Sequence, residues 1–364
     1  MNVPYKELEG REELVCLVRF KNREKLHHEQ KMRWKIFIIL GFTAIYNIVQ
    51  RDLKSMELLA IIFALYLAWS VGVHTMGAML GISIGSGMMR LREAVIISGL
   101  SVIVGAAYLS GRIIDTVGNE LVSFDATGMT VVLVITALLL TVTAKKELPI
   151  FTTYIVLGAA AGYAYTAGIS FNYGLFRNIM IALFVSPLAG FVGGYLLYNG
   201  IKKTALSKRK SIREREKFER KFAIPGIIAL IIMSLSIGGN SIGVVVGMLR
   251  GIMGAGPLSV LGAAGVILGL TTWSYKIAKT VGIKITDLSP IRSFSAQISA
   301  GVVALTFIYL SIPISITQTL ISATMGVGIA RGRVGGEVSR NILFSWFVGL
   351  PLAILLAAGL GLII

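Results

Sequence analysis

Gly72-Val73-His74-Thr75-Met76-Gly77-Ala78-Met79-Leu80-Gly81 lies inside a long apolar run, and Gly238-Gly239-Asn240-Ser241-Ile242-Gly243-Val244-Val245-Val246-Gly247 lies inside another. Glycine weakens a helix interior by roughly 1 kcal/mol relative to alanine. Two such clusters, each seeded with small polar residues, imply helices that are interrupted. Interruptions at corresponding points of two halves of an apolar chain are the sequence pattern of a transporter's binding site.

Composition agrees with a membrane setting. The 364-residue chain is 55% hydrophobic and only 15% charged, where a soluble chain carries about 25% charged residues. Apolar runs at 34–50, 57–82, 94–111, 127–144, 148–168, 176–199, 223–249, 257–275, 294–311, 313–330 and 341–363 are long enough to be read as membrane spans. The expected fold class is therefore an all-α polytopic membrane protein, an inverted-repeat transporter of about 11–12 helices with interrupted helices. The net charge of +17 sits in short loops between the runs rather than on one face of a soluble module. That excludes nucleic acid as a partner and leaves membrane lipid. A lone cysteine, Cys16, excludes an intrachain disulfide and a cysteine metal cage. His27 and His28 lie side by side in a polar tail and read as solvated.

Lysine and arginine set the topology. The tail at 1–33, Arg90 and Arg92, Lys145 and Lys146, the Lys202–Lys221 segment, Lys276, Lys279 and Lys284, and Arg331 and Arg333 are placed in the cytoplasm. Asp115, Glu120 and Asp125 are placed outside. The resulting organisation is a cytoplasmic N-terminal tail (1–33), an extra N-terminal span (34–56), a first transmembrane repeat (57–200), a basic cytoplasmic linker (201–222) and a second, inverted repeat (223–364). The two glycine-rich stretches then run in opposite directions across the plasma membrane.

A second internal match supports the repeat. Leu148-Pro149-Ile150-Phe151-Thr152-Thr153-Tyr154 resembles Ile312-Pro313-Ile314-Ser315-Ile316-Thr317-Gln318, and a glycine-containing apolar run follows each. Proline is tolerated in the first turn of a helix, and hydroxyls beside it can cap freed amides. Hydroxyls bonding their own helix are the plainer alternative for either cluster alone.

These residues carry a resemblance. From about residue 59 to the end the chain resembles the inorganic phosphate transporter (PiT) family. That family has a G-A-N-D-V-A-N-A-F-G-like signature and a P-V-S-T-T-H-like element in each of two opposed halves. Gly81-Ile82-Ser83-Ile84-Gly85-Ser86-Gly87 looks like the continuation of the first signature. Leu109-Ser110-Gly111-Arg112-Ile113-Ile114-Asp115-Thr116 looks like the family's G-G-R-V-T-D-T. Trp273-Ser274-Tyr275-Lys276 and Lys284-Ile285-Thr286-Asp287-Leu288-Ser289-Pro290-Ile291-Arg292-Ser293-Phe294-Ser295-Ala296 are similar to its W-x-Y-K and K-I-T-E-L-T-P-S-R-G-F-S-A. The resemblance implies a secondary transporter of an inorganic oxyanion, phosphate by default, working by alternating access. It also implies a homodimer. Sulfate or another tetrahedral anion is the alternative substrate, and an anion-sensing protein that has lost transport is a further alternative. An enzyme is not expected, since the spans hold one histidine, no cysteine and no carboxylate away from their ends.

The signatures also depart from the family. His74-Thr75 occupy the first Asn-Asp pair and Ala78 the later Asn; Ser241 occupies the second Asp and Val244 its later Asn, while Asn240 matches. Tyr154 and Gln318 stand where the family has His. Among residues expected to bind substrate, the resemblance and the repeats point to Thr75, Thr152, Thr153, Asn240, Ser241, Ser315 and Thr317. Arg292, with Ser295, is expected to add a cation near a helix start. Helix N-termini at the breaks would favour an anion. No metal site and no cofactor are expected. Without a carboxylate within a span, proton coupling through His74 or no coupling is favoured over sodium.

Overall fold

The computed structural model describes residues 53–364 apart from 146–150, 210, 285–288, 333–335 and 364. The expected tail, the extra span at 34–56 up to residue 52, and Cys16, His27 and His28 lie outside the described residues. The described chain is helical almost throughout, with one isolated β-bridge between Val122 and Phe171.

The first glycine-rich stretch lies in α1 (Leu53–Gly85), followed by α2 (Leu91–Asp115), which ends in a π-helical turn (Thr116–Leu121). Next come α3 (Ala126–Lys145), α4 (Thr152–Thr166) and α5 (Tyr173–Ile201). A short polar helix, α6 (Ile212–Arg220), carries the basic linker. The second half holds α7 (Ala223–Ser236), a π-helical turn (Ile237–Ser241), α8 (Ile242–Gly247), α9 (Ala255–Thr272), α10 (Ser274–Lys284), α11 (Pro290–Tyr309), α12 (Ile316–Arg331) and α13 (Gly336–Gly361). Among the described residues six helical segments are long and apolar enough to cross a membrane, so this is a multi-pass membrane protein. Leu58, Ile96, Leu100, Leu188, Leu196 and Val260 are more than half exposed, an apolar exterior that suits a lipid environment.

In the first half the interruption falls elsewhere than its glycines suggest. α1 runs unbroken through Gly72–Gly81. Gly72 instead meets α9 at a crossing where a Cβ would collide with the Val266 carbonyl, and one at Gly269 would collide with that of Trp69. The same contact recurs between α2 and the α7 end: a Cβ at Gly105 would strike the Leu235 carbonyl, and one at Gly238 the Val102 carbonyl. Small residues let helix backbones touch where lipid supplies no hydrophobic drive to pair them. In the second half the cluster does disturb its helix, as the π-helical turn at Ile237–Ser241.

The real breaks precede α4 and α12. α9 packs on α1 as α7 packs on α2, and α12 packs on α5 as α13 packs on α4. Each element of one half thus lies against an element of the other. At one end of the bundle Arg250 pairs with Asp115 at 2.7 Å, and the Thr116 hydroxyl donates to the Ser311 carbonyl. At the opposite end Lys202 Nζ donates to the Ala330 carbonyl at 2.8 Å.

Candidate substrate site

α4 and α12 are too short to cross a bilayer. Their 15 and 16 residues give lengths of about 22 and 24 Å, against a hydrocarbon core of about 30 Å. The chain beyond α4 leads to Phe171, which pairs with Val122 near the Asp115 end; α12 ends beside Ala330 at the Lys202 end. The two helices therefore point away from each other, and their N-termini meet inside the bundle.

The meeting point is the backbone of Ile314, fully buried just before α12. The Asn240 amide brackets it: Nδ2 donates to the Ile314 carbonyl at 2.7 Å, and Oδ1 accepts from the Ile314 N–H at 2.9 Å. The Thr153 hydroxyl, from the first turn of α4, donates to the same carbonyl at 3.1 Å. One residue pair further, the Thr75 and Thr317 hydroxyls lie 2.9 Å apart, joining α1 to α12. Backbone groups released from helices inside a membrane need such partners, because lipid offers none. Ser315 is the N-cap of α12, buried, and its hydroxyl does not cap the helix. Thr152 opens α4 and Ser241 closes the π-helical turn, both half-buried.

Four residues singled out in the sequence, Thr75, Thr153, Asn240 and Thr317, are thus tied together through one peptide and one hydroxyl pair. Ser315 adjoins them along the chain. Two residues do not join them. Arg292 lies in the first turn of α11, where its Nε donates to the Ser289 hydroxyl at 3.0 Å, and Ser295 donates to the Ile291 carbonyl of its own helix. α11 is 20 residues long, about 30 Å, and its opposite end leads to Ile314. Arg292 shares its surroundings with Tyr198, Glu219 and Arg331 instead. A cation from that helix start is therefore a helix length from the converging termini.

His74 occupies an unusual position. It is solvent-exposed in this structure although its neighbours on α1, Val73 and Thr75, are buried. Its Nδ1 lies 3.0 Å from the Ser70 carbonyl. The Ser70 hydroxyl lies 3.3 Å from the same nitrogen; in the tautomer that donates from Nδ1 to the carbonyl, Nε2 is the basic nitrogen. Among the described residues no group of His, Cys, Asp and Glu side chains is placed to hold a metal ion.

Residues 71–357 of this chain match the phosphate transporter family. The chain belongs to that family. A protein of Pyrococcus abyssi named "Putative phosphate permease" is 25% identical, the match covering 84% of this chain and 97% of that one. The Arabidopsis thaliana protein "Inorganic phosphate transporter 2-1, chloroplastic" is 24% identical over 84% of this chain and 71% of its own length. A solved structure titled "The sodium-dependent phosphate transporter" superposes with a TM-score of 0.74 at 20% identity, covering 85% of this chain and 98% of that one. That likeness establishes the fold, and the family is one of transporters rather than enzymes.

Of the residues read from the sequence as departures in the hydroxyl elements, Tyr154 has a physical account in this structure. Pro187 lies inside α5 and has no N–H, so the carbonyl four residues earlier, that of Leu183, loses its helical partner. The Tyr154 hydroxyl donates to that carbonyl at 3.1 Å. Tyrosine at this position thus heals a proline break on the neighbouring helix. Sequence reading placed Tyr154 only as a departure and missed Ser186, since neither Pro187 nor Ser186 lies in a repeated motif.

Proposed function

We propose that this phosphate transporter family member carries inorganic phosphate across the plasma membrane by alternating access between two inverted repeats. Phosphate binds where the N-termini of α4 and α12 converge. The observation that carries this reading is the joining of Thr75, Thr153, Asn240 and Thr317 around Ile314, residues from both halves of the chain. Each short helix presents free first-turn amides and the positive end of its dipole toward that point, which favours a multiply charged anion. Thr152, Ser241 and Ser315 lie beside it along the chain and add neutral hydroxyl donors. The exchange of packing partners between the halves supports the inverted repeat, and the lysine and arginine distribution favours the Asp115 end outside and the Lys202 end in the cytoplasm.

Coupling follows from what the site contains. Thr75 and Ser241 stand at the positions of the family's two signature aspartates, and a hydroxyl offsets little of sodium's charge. Transport here therefore depends weakly on sodium, with His74 as the group through which a proton gradient can act. The structural neighbour is titled as sodium-dependent, which makes the comparison informative. Uptake of labelled phosphate into proteoliposomes under imposed sodium or proton gradients tests both statements. Accumulation of phosphate establishes the substrate, and strong dependence on sodium would refute the coupling.

A further inference from the structure

Two buried side chains near the converging helices carry polar atoms without partners among the described residues. Gln318 is fully buried in the first turn of α12 with its amide against the Tyr154 hydroxyl, and its Oε1 has no hydrogen-bond partner among the described residues. Ser186 on α5 is equally buried, and its hydroxyl is likewise unpartnered among the described residues. The packing register brings them to one level. Gly190 of α5 meets Thr319 of α12, and Gly194 meets Ala323, so the two helices run parallel and Ser186 lies level with Ser315. Gln318 follows Thr317 directly and lies beside Tyr154, whose own proton is committed to the Leu183 carbonyl. Unpaired polar atoms are expensive inside a protein and more so inside a membrane, so each one calls for a partner that the fold itself does not supply.

We infer that Gln318, supported by Ser186, sets the specificity of the site for an oxyanion that still carries a proton. This rests on the proposed binding of phosphate at the α4 and α12 termini. The amide offers donors and one acceptor oxygen, and exchanging its nitrogen and oxygen leaves that inventory unchanged. A fully deprotonated tetrahedral anion satisfies the donors alone. A hydrogen phosphate or hydrogen arsenate also donates its remaining proton to the amide oxygen. Sulfate has the same shape and no proton at neutral pH, so its binding leaves a buried acceptor unpaired. A site built to hydrogen-bond a ligand's hydroxyl discriminates against the analogue lacking it, here by about ten- to one-hundred-fold.

The test is competition against labelled phosphate uptake by the full-length protein in proteoliposomes. In the wild type, arsenate is expected to compete at concentrations close to those of phosphate, and sulfate only at about ten- to one-hundred-fold higher ones. Gln318→Met is expected to weaken phosphate uptake and to collapse the sulfate-to-arsenate ratio toward one. Ser186→Ala, a smaller change, is expected to weaken phosphate about tenfold while keeping the preference for arsenate over sulfate. Wild-type uptake competed equally by sulfate and arsenate would overturn this inference alone, and that measurement needs no variant to fold. An unchanged ratio in an active Gln318→Met protein would overturn it too, leaving the amide with water as its partner. Absence of phosphate uptake in the wild type would overturn the underlying reading and this inference with it.

Discussion

Ile314 offers a sharp quantitative test, because three hydrogen bonds converge on one buried peptide. In Asn240→Ala the Ile314 N–H loses its partner, which costs about 1–3 kcal/mol for a buried donor. The Ile314 carbonyl keeps the Thr153 hydroxyl, so the second lost bond costs only about 0.6 kcal/mol, the average for hydrogen bonds in a membrane protein. The single variant should therefore be destabilised by about 2–4 kcal/mol. Thr153→Val alone should cost about 0.6 kcal/mol, since Asn240 still serves the carbonyl. The double variant strips the carbonyl of both donors, which costs about 2 kcal/mol where the singles together counted only about 1.2, so it should exceed their sum by about 1 kcal/mol. Equilibrium unfolding of the four proteins in mixed detergent micelles, titrated with a denaturing surfactant, measures the cycle. Additivity within about 0.5 kcal/mol, the behaviour of independent sites, would refute the convergence on Ile314.

Other outcomes are expected from particular contacts. Tyr154→Phe should destabilise the protein by about 1–3 kcal/mol but have little effect in a Pro187→Ala background, where the Leu183 carbonyl regains a helical N–H; unfolding of the four variants measures it. Gly72→Leu and Gly105→Leu should prevent folding to a monodisperse protein, because backbone carbonyls occupy the space of a Cβ, while Gly111→Ala, with nothing within 4 Å of its position, should leave size-exclusion and thermal profiles unchanged. Asp115→Asn should shift stability by no more than about 1 kcal/mol, since its pair with Arg250 is 29% and 44% exposed. His74→Asn should abolish stimulation of uptake by an inward proton gradient without removing phosphate exchange at equal pH.

How far the sequence carried this account depended on which physical signal each residue emits. The apolar runs specified a multi-pass helical protein because length and hydropathy suffice for spans. The paired Pro and hydroxyl elements were legible because they repeat, and the structure brings Thr153 and Thr317 into one cluster with Asn240 and Thr75. Gly72–Gly81 misled about the break. Glycine marks close helix contact as readily as helix rupture, and only the partner's carbonyl, Val266 in this instance, distinguishes the two. Arg292 was drawn in by its position at a helix start, but only the length and direction of α11 show it to be remote. Ser186 and Gln318 escaped because an unpaired polar atom is a property of packing and not of spacing.

The central claim is that phosphate binds where the N-termini of α4 and α12 meet. Arsenate, a tetrahedral oxyanion with a usable anomalous signal, locates that point directly in crystals of the purified protein. The account predicts an anomalous peak within hydrogen-bonding distance of the Ser315 and Thr317 hydroxyls, at the N-termini of α4 and α12. A peak at the Arg292 end of α11, or one on the protein surface alone, would contradict it.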